Sequence, residues 1–425
     1  MFKYLNQFIE EIKNNKEMMK GSIISFLFKV FGYLLGLIII LLISKNYGSK
    51  GLGIYSLSFT ILSILVTISC FGFDQSILRF ITEYIGKNEK KKIYFLYKTI
   101  KKYILSISII LGLFLFLFSN WINNFFQENI PFKIIAFVIP FSAINILNIQ
   151  FIRSFRIIKI SEFFRNVSIK LLGIIILIIL ISFISNIYIP IISISIAIII
   201  TFFLSNYYIK NKLLINNYKQ IKKVNIKKLL NITFPIFISC ILALLLDSTD
   251  IIILGLFSNI QDVGIYSLCL KLTGLISIIY HSIIIFVVPK ISQLYWAKKS
   301  VKKIIKFTSR IILILSLPLL IVVILVAPII LKIFGEEFIK GHYTLIILAI
   351  STFINGYVGW VGALFKVIGL EKTFMKLIFF TLILDIILDI LLVLKFGMIG
   401  VAISTLISTT IIALFSVIII RKKLK

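Results

Sequence analysis

The chain has 425 residues, of which 60% are hydrophobic and only 15% are charged, and its net charge is +30. A soluble domain cannot bury so large an apolar fraction, so the composition excludes a soluble globular protein and indicates that lipid surrounds most of the surface. The basic residues lie between apolar stretches, so we attribute the positive charge to membrane topology and not to nucleic-acid binding.

The N-terminal segment, residues 1–20, has the pattern of a helix that lies on a membrane surface. Phe2, Leu5, Ile9 and Ile12 fall on one helical stripe among lysines and glutamates. A single apolar face with a charged opposite face is typical of interfacial amphipathic helices. We therefore predict an amphipathic N-terminal segment that does not span the bilayer.

Twelve apolar spans of roughly 20 residues follow, each long enough to cross a hydrocarbon core of about 30 Å. They lie near 21–43, 54–78, 103–122, 132–152, 170–187, 189–209, 230–255, 265–289, 308–331, 343–366, 376–395 and 398–420. The fold class predicted is an all-α integral membrane protein. Its domains are an N-terminal six-helix bundle (21–209), a basic cytoplasmic linker (210–228) and a C-terminal six-helix bundle (229–425).

An internal repeat supports this division into two halves. The sequence Gly-Ile-Tyr-Ser-Leu occurs at residues 53–57 and again at 264–268, an offset of 211. The same offset, without a gap, aligns Arg79 with Lys290. In both copies apolar spans flank the match and a basic cluster follows. Internal duplication is common among membrane transporters, so we predict two pseudo-symmetric bundles.

The basic residues crowd into alternate loops and so predict an orientation. Of the 46 lysines and arginines, 38 fall on the side that holds both termini. Six lie on the opposite side, and Lys29 and Lys271 lie within spans. The six are Lys45, Lys50, Lys133, Lys332, Lys340 and Lys395. The positive-inside rule then places both termini in the cytoplasm.

Several functional classes lack their expected motifs. No phosphate-binding G-x-x-x-x-G-K-[ST] loop is present, so we expect no ATP hydrolysis within the chain. His281 and His342 have no acidic or cysteine partners at ligand spacing, and the three cysteines are odd in number. From these patterns we expect no metal site, no cofactor, no disulfide framework and no enzyme active site.

Ionisable side chains inside apolar spans are costly unless they face a partner or a wet cavity, which makes them functional candidates. Lys29 lies about eight residues into the first span, or ~12 Å from its end at a helical rise of 1.5 Å per residue. Two interpretations remain open at this point. Lys29 lines a cavity, or it forms a structural ion pair with Asp385 at similar depth in the eleventh span.

Four carboxylates form two further pairs. Asp247 and Asp250 share a face of the seventh span at i, i+3, and Lys271 lies at similar depth in the eighth. They form either a local salt bridge with Lys271, or a cation site or gate. Asp385 and Asp389 are co-facial at i, i+4, and neighbouring carboxylates raise each other's proton affinity. That pair is a candidate for proton coupling.

Three basic residues near the ends of spans are further candidates. Arg79 and Lys290 end the second and eighth spans at equivalent repeat positions. Both are either ordinary positive-inside anchors or parts of a basic vestibule that attracts an anionic lipid headgroup. The same two interpretations apply to Arg153.

Five segments resemble a known family. Residues 44–81 resemble the N-terminal signature of polysaccharide biosynthesis proteins of the O-antigen flippase type. Residues 247–275, 287–295, 334–350 and 394–408 are similar to later segments of the same family. This family belongs to the multidrug/oligosaccharidyl-lipid/polysaccharide exporter superfamily, and the resemblance covers essentially the whole chain.

The resemblance implies two six-helix bundles around a central cavity and alternating access without ATP. It implies that the cargo is an oligosaccharide on a polyprenyl pyrophosphate, moved from the inner to the outer leaflet of the bacterial cytoplasmic membrane. Lys29 is the counterpart of a basic residue in the family's first helix, with Lys271 as a second cation. Asp250 begins a D-x-x-x-L-G pattern of the family. Membrane lipids and a coupling ion, H+ or Na+, are the other partners implied.

Three alternatives remain. A multidrug exporter of the same superfamily would favour an acidic cavity for cationic drugs, so the sign of charge on the cavity wall discriminates. Lipid II flippases of the superfamily have fourteen spans instead of twelve, which argues against that substrate. A membrane-embedded polysaccharide polymerase would be expected to show a sizeable extramembrane loop with a catalytic motif, and no outside loop here exceeds about a dozen residues.

Overall fold

The computed structural model describes residues 16–126, 128–213, 226–297, 300–358 and 361–423, and all the regular structure in this part is helical. Most of the predicted amphipathic segment 1–20 and the centre of the predicted linker 210–228 lie outside the described residues.

The described residues of the first half form eight α-helices. They are α1 (Lys16–Cys70), α2 (Phe73–Gly86), α3 (Lys90–Leu117), α4 (Ser119–Phe126), α5 (Phe132–Ser154), α6 (Ile158–Phe163), α7 (Ile169–Phe183) and α8 (Ile189–Tyr208). One π-helical turn, Phe164–Ser168, joins α6 to α7, and a second, Ile209–Leu213, follows α8.

In the second half, the residues that the structure describes form seven α-helices. They are α9 (Ile226–Leu246), α10 (Thr249–Phe257), α11 (Ile260–Trp296), α12 (Lys302–Phe334), α13 (His342–Val358), α14 (Gly362–Ile368) and α15 (Glu371–Lys423). A 3-10 turn, Glu336–Gly341, precedes α13.

The described chain contains ten helical stretches that are long and apolar enough to cross a membrane. Two of them, within α1 and α15, reverse direction at a glycine and so comprise two crossing helices each. Gly48 has φ +65° and Gly397 has φ +55°, a conformation that a residue without a β-carbon adopts most easily. The ten stretches therefore make twelve membrane-crossing helices, which confirms the number predicted from the sequence.

The two ends of the bundle differ in charge. The bends at Gly48 and Gly397 lie at one end, which we call the Gly48 end. The other end carries most of the lysines and arginines, and we call it the Lys-rich end. The two halves meet chiefly where α1 packs along α11. This contact joins the two copies of the repeated Gly-Ile-Tyr-Ser-Leu sequence.

Two span boundaries differ from the prediction in ways that affect function. The fifth span, expected near 170–187, is helical from Ile158 onward. The seventh span is not one straight helix, because turns at residues 247 and 248 separate α9 from α10. Asp247, Ser248 and Thr249 have short polar side chains that compete for backbone hydrogen bonds, which favours a break there. Asp247 and Asp250 therefore do not share a face of one continuous helix.

Candidate functional site

A cavity of about 690 Å³ lies between the two halves. Its walls come from α1, α2, α5, the π-helical turn before α7, α7 and α8 of the first half and from α10 and α11 of the second. Its polar and charged lining consists of Tyr55, Ser56, Thr60, Ser63, Thr67, Asp74, Gln75, Ser142, Asn145, Arg165, Asn166, Lys170, Ser267 and Lys271. Hydroxyl and amide groups are thus mixed with cations at the interface between the halves, which confirms the central cavity expected from the sequence.

Two lysines, one from each half, meet beside Gly36 in this cavity. A β-carbon at Gly36 would lie 3.3 Å from Lys271 Nζ and 3.8 Å from Lys170 Nζ. Lys170 Nζ donates a hydrogen bond of 2.7 Å to the Gly32 carbonyl, and Lys271 Nζ lies 5.2 Å from the centre of the Tyr33 ring. The hydroxyl of Tyr33 donates to the backbone carbonyl of Lys271. These contacts fix both ammonium groups at one place in the cavity wall.

The cavity wall carries a positive balance. Among the described lining residues the cations are Arg165, Lys170 and Lys271, and the one carboxylate is Asp74. The Asp74 carboxylate accepts a hydrogen bond of 3.2 Å from Gln75 and lies close enough to Arg165 for an electrostatic interaction. The excess of positive charge favours an anionic ligand, as charge-assisted hydrogen bonds are strongest to phosphates and carboxylates.

A buried glutamate positions one side of the cavity. Glu162 is 1% exposed and accepts a hydrogen bond of 2.7 Å from the Asn166 amide. Its other oxygen lies 3.9 Å from Arg153 Nη1. Asn166 belongs to the π-helical turn, and such turns inside α-helices frequently mark functional sites. Arg153 thus contacts the residue that orients the cavity wall, and it does not itself line the cavity.

The other predicted basic candidates lie away from the cavity wall. Lys29 and Arg79 are exposed, and Lys290 is half-buried on α11. Lys29 precedes Gly36 by seven residues, so it lies about two turns nearer the Lys-rich end on nearly the same helical face. Asp385 is 1% exposed whereas Lys29 is exposed, so the structural ion pair that was one interpretation of the sequence does not form.

Lys170 was not singled out from the sequence, because the predicted span began at that residue. The helix in fact begins at Ile158, so Lys170 is twelve residues inside it. The sequence signal was a set of apolar residues at the helical spacing i, i+4 and i+7, Ile160, Phe164 and Val167, which extends the helix through Arg165. Because charged residues lie between these apolar residues, the sequence of this membrane segment resembled that of a basic loop.

A second polar group lies within the second half. The carboxylates of Asp250, Asp385 and Asp389 come within 4.8 Å of one another, and all three residues are buried. Asp250 comes from α10, and the other two come from α15. Asp389 accepts no hydrogen bond on either oxygen, and neither does one oxygen of Asp250. Three ionised carboxylates so close together repel strongly, so this acidic cluster requires a shared proton or a bound cation.

Hydroxyl groups surround the acidic cluster. Asp250 accepts a hydrogen bond from the Tyr266 hydroxyl and one of 3.0 Å from Thr405 Oγ1. Ser404 Oγ lies 3.1 Å from the Asp385 carbonyl and 3.4 Å from its Oδ1. Oxygen atoms are the ligands that hard cations such as Na+, Mg2+ and Ca2+ accept. The cluster therefore has the chemistry to hold a cation or a proton.

Asp247 lies outside the acidic cluster and is exposed. The alternative of a salt bridge between Asp250 and Lys271 is wrong, because the Asp250 carboxylate bonds to Tyr266 and Thr405 while Lys271 lines the cavity. Tyr266 and Lys271 are five residues apart, so they project roughly 140° from each other around α11. One helix thus separates the acidic cluster from the cationic cavity.

Comparisons with known proteins agree with this architecture. The chain matches the family described as polysaccharide biosynthesis protein over residues 18–295, and the MatE family over residues 235–391. A curated relative is the probable low-salt glycan biosynthesis flippase Agl15 of Haloferax volcanii, 24% identical over 164 residues. That match covers 37% of this chain and 34% of the relative, so it spans about a third of the relative's length.

Two solved structures share nearly the whole fold. The lipid II flippase MurJ in an inward closed conformation has a TM-score of 0.75 and 19% identity, over 94% of this chain and 87% of that chain. An inward-facing multidrug resistance MATE family transporter of the MOP superfamily has a TM-score of 0.75 and 15% identity, over 95% and 98%. At these identities the similarity shows the fold, a two-lobed bundle of twelve membrane helices.

Proposed function

The chain belongs to the polysaccharide biosynthesis protein family, and from this premise we propose that it is a flippase for a polyprenyl-pyrophosphate-linked oligosaccharide. The family is one of multi-pass membrane transporters and not of enzymes. The observation that carries the proposal is the pair of ammonium groups, Lys170 and Lys271, which meet beside Gly36 in a cavity between the halves.

A diphosphate is the ligand that best suits this pair. Moving a diphosphate through hydrocarbon is prohibitive without compensation for its lost hydration. Two ammonium groups fixed at one place offset that loss through charge-assisted hydrogen bonds, each worth about 1.5–3 kcal/mol. The lysines come from opposite halves, so a bound diphosphate would hold the halves together until they rearrange. This arrangement suits alternating access.

The remaining lining suits a sugar. Asn145, Asn166 and Gln75 supply amide groups that both donate and accept hydrogen bonds, as sugar hydroxyls do. In the proposed transport step the diphosphate and its first sugars occupy the cavity, and the polyprenyl chain stays in the bilayer. No energy is then spent on moving the apolar tail through water.

The basic residues outside the cavity would attract the anionic headgroup of the substrate before it enters the cavity. Lys29 lies two turns nearer the Lys-rich end than Gly36, and Arg79 and Lys290 occupy equivalent positions of the two repeats. We place this end on the inner side of a bacterial cytoplasmic membrane, with both termini cytoplasmic, as the distribution of basic residues favours. Anionic headgroups would then meet positive charge before they reach Lys170 and Lys271.

The acidic cluster is the proposed coupling site. Asp250, Asp385 and Asp389 would bind Na+ or H+, and the hydrogen bonds from Tyr266 and Thr405 tie that event to α11 and α15. Since α11 also carries Lys271, binding or release of Na+ or H+ at the acidic cluster can shift Lys271 in the cavity wall. The exposed Asp247 lies outside this cluster, so its proposed role is gating and not cation binding.

The second candidate, a cation-coupled multidrug exporter, is favoured by the match to the MatE family over residues 235–391. The charge of the cavity argues against it, because a cavity with three cations and one carboxylate repels cationic drugs. A lipid II-type substrate also carries a diphosphate, so it would bind Lys170 and Lys271 in the same way. The proposed substrate class therefore includes any sugar that is linked to a polyprenyl diphosphate.

The test is a transport assay in proteoliposomes, with protein-free liposomes to measure the spontaneous movement of lipid between leaflets. A fluorescent polyprenyl-diphosphate-linked N-acetylglucosamine is incorporated, and its transfer between leaflets is followed by a membrane-impermeant quencher. Wild type should transfer it, and Lys170→Gln or Lys271→Gln should reduce the initial rate at least ten-fold. Lys306→Gln, an exposed lysine outside the cavity, is the control. Undiminished transfer by a variant that carries both Lys170→Gln and Lys271→Gln, or efficient transport of a cationic dye instead, would reject the proposal.

A further inference from the structure

A second cavity, on the outer surface of the first half, is not explained by transport. It is a groove of about 420 Å³ between α3 and α5, and its lining is almost wholly apolar. Leu105, Ile109, Leu113 and Phe137 line it and are exposed. In a chain that spans a membrane, such a surface faces the acyl chains of the lipids.

The groove follows from the sequence of α5. Pro140 lies inside this helix and has no N–H group, so the Ala136 carbonyl lacks its usual donor four residues on. Gly112 of α3 approaches that carbonyl so closely that a β-carbon on it would lie 2.8 Å from the Ala136 oxygen. The two helices therefore contact each other at this point, and the groove lies beside the contact.

A lysine lies at the Gly48 end of this groove. Lys133 lines the groove, is exposed, and has its Nζ 5.9 Å from the centre of the Phe116 ring. Two other lysines at the Gly48 end pair with carboxylates, Lys50 with Glu128 at 2.8 Å and Lys332 with Glu336 at 3.5 Å. Within the described residues no carboxylate forms an ion pair with Lys133. The ammonium group of Lys133, without an ion-pair partner among the described residues, thus lies at one end of the apolar groove.

We propose that this groove binds an anionic phospholipid of the surrounding membrane, with an acyl chain along α3 and α5 and the phosphate at Lys133. The furrow matches a hydrocarbon chain, and the lysine matches a negatively charged headgroup at the level of the membrane surface. The lipid would fill the space beside the Pro140 bend and so support the packing of α3 against α5. The inference does not depend on what the protein transports.

The occupant is a resident lipid and not the cargo. None of the described residues lines both the groove and the central cavity, because α5 separates them: Asn145 faces the cavity, and its neighbour Ile144 faces the groove. A headgroup at Lys133 therefore has no route to Lys170 and Lys271 along the groove. A phospholipid of the bulk membrane meets this surface at far higher concentration than a scarce isoprenoid lipid does.

The test uses the full-length protein in nanodiscs of equal parts phosphatidylglycerol and phosphatidylcholine. Lipids that remain bound after transfer to detergent are counted by native mass spectrometry. Wild type should retain phosphatidylglycerol about five-fold over phosphatidylcholine, since one lysine near an anionic headgroup contributes about 1 kcal/mol. Lys133→Gln should remove this preference. Lys395→Gln should keep it, because Lys395 is an exposed lysine at the same end but outside the groove.

A second pair of variants tests the groove itself. Ile109→Trp, which fills the furrow, should lower the number of retained lipids of both kinds, and Leu325→Trp on a lipid-facing part of α12 should not. Equal retention of both lipids by wild type, or an unchanged preference in Lys133→Gln, would overturn the proposal. Displacement of phosphatidylglycerol by added undecaprenyl phosphate at equal concentration would also overturn it, because the site would then belong to the isoprenoid lipid.

Discussion

Gly53 and Gly264, the first residues of the two repeated pentapeptides, each face the backbone of the opposite half. A β-carbon on Gly53 would lie 2.0 Å from the Ile260 carbonyl oxygen, and one on Gly264 would lie 2.0 Å from the Ser49 carbonyl oxygen. The contact is reciprocal, as a pseudo-two-fold axis between the halves requires. Small residues allow membrane helices to approach this closely, so the repeat closes the Gly48 end of the transporter.

Substitution of either glycine by alanine should open the Gly48 end. A methyl group cannot fit at 2.0 Å from backbone oxygen, so α1 and α11 must separate, at an expected destabilisation of about 1–3 kcal/mol for overpacking. We expect Gly53→Ala and Gly264→Ala to lower the midpoint of thermal unfolding. Both should also lengthen the distance between spin labels at Lys45 and Asn259, measured by pulsed electron resonance after replacement of the native cysteines.

Gly86→Ala provides the matched control, because no atom lies within 4 Å of a β-carbon at that position. Its midpoint and label distances should match those of the wild type. Unchanged label distances in both Gly53→Ala and Gly264→Ala would contradict the view that these glycines close the Gly48 end.

A carboxylate of the second half reinforces the same closure. Glu337 accepts a hydrogen bond of 2.7 Å from the Ser49 N–H and one of 2.6 Å from the Ser49 hydroxyl. Glu337→Ala removes both and should widen the same label distance, with a loss of about 1 kcal/mol because the glutamate is exposed. Glu337→Gln keeps one acceptor and should have an intermediate effect.

The neighbouring Glu336 is the control for this prediction. Its side chain is 82% exposed, and its ion pair within the described part of the chain is with Lys332, at 3.5 Å, so Glu336→Ala should change stability by less than about 0.5 kcal/mol. If Glu336→Ala and Glu337→Ala had equal effects on label distance, the Ser49 contact would not hold the halves together.

The sequence predicted the features that depend on one helix at a time. Length and hydropathy suffice for twelve crossing helices, and the pentapeptide repeat indicated two halves. The i, i+4 spacing of Asp385 and Asp389 put both on one face of α15. These properties are local, because periodicity and chain length determine them without reference to any neighbour.

The features that depend on tertiary packing were not predictable in the same way. Asp250 joins Asp385 and Asp389 from more than 130 residues away, and no local pattern indicates which face of α10 meets α15. Lys170 was placed at the first residue of the predicted fifth span, because the charged residues before it resembled a loop between spans. The salt bridge with Lys271 was one of two interpretations of Asp250, and it does not form, because the helix is interrupted before Thr249 and the Asp250 carboxylate accepts a hydrogen bond from Tyr266.

Gly36 offers a direct test of the two-lysine arrangement. A leucine there would occupy the space between Lys170 Nζ and Lys271 Nζ, whereas an alanine would require only small movements of their flexible ends. Gly36→Leu should weaken binding of a short-chain polyprenyl diphosphate at least ten-fold in isothermal titration calorimetry, and Gly36→Ala should weaken it less than three-fold. Gly86→Leu is the control at a glycine in open space. Wild-type affinity in Gly36→Leu would exclude diphosphate binding between these lysines.

Asp389 is the residue through which coupling can be tested, because it is fully buried and neither of its oxygens accepts a hydrogen bond. A ligand that binds only the folded state stabilises it by mass action, by about 2.7 kcal/mol at a concentration 100 times its dissociation constant. If Na+ is the ligand, replacing choline by Na+ should raise the thermal midpoint of the wild type. If a proton is the ligand, Na+ should have no effect and mild acid should stabilise, because a shared proton relieves the repulsion among the carboxylates.

Asp389→Asn should abolish whichever of these responses the wild type shows, and it should be more stable than the wild type in choline at neutral pH, since one buried charge is gone. Asp247→Asn should retain the wild-type response, because Asp247 is exposed and outside the acidic cluster. A wild type that responds to neither Na+ nor acid, or a response that survives in Asp389→Asn, would show that the acidic cluster does not bind the coupling ion.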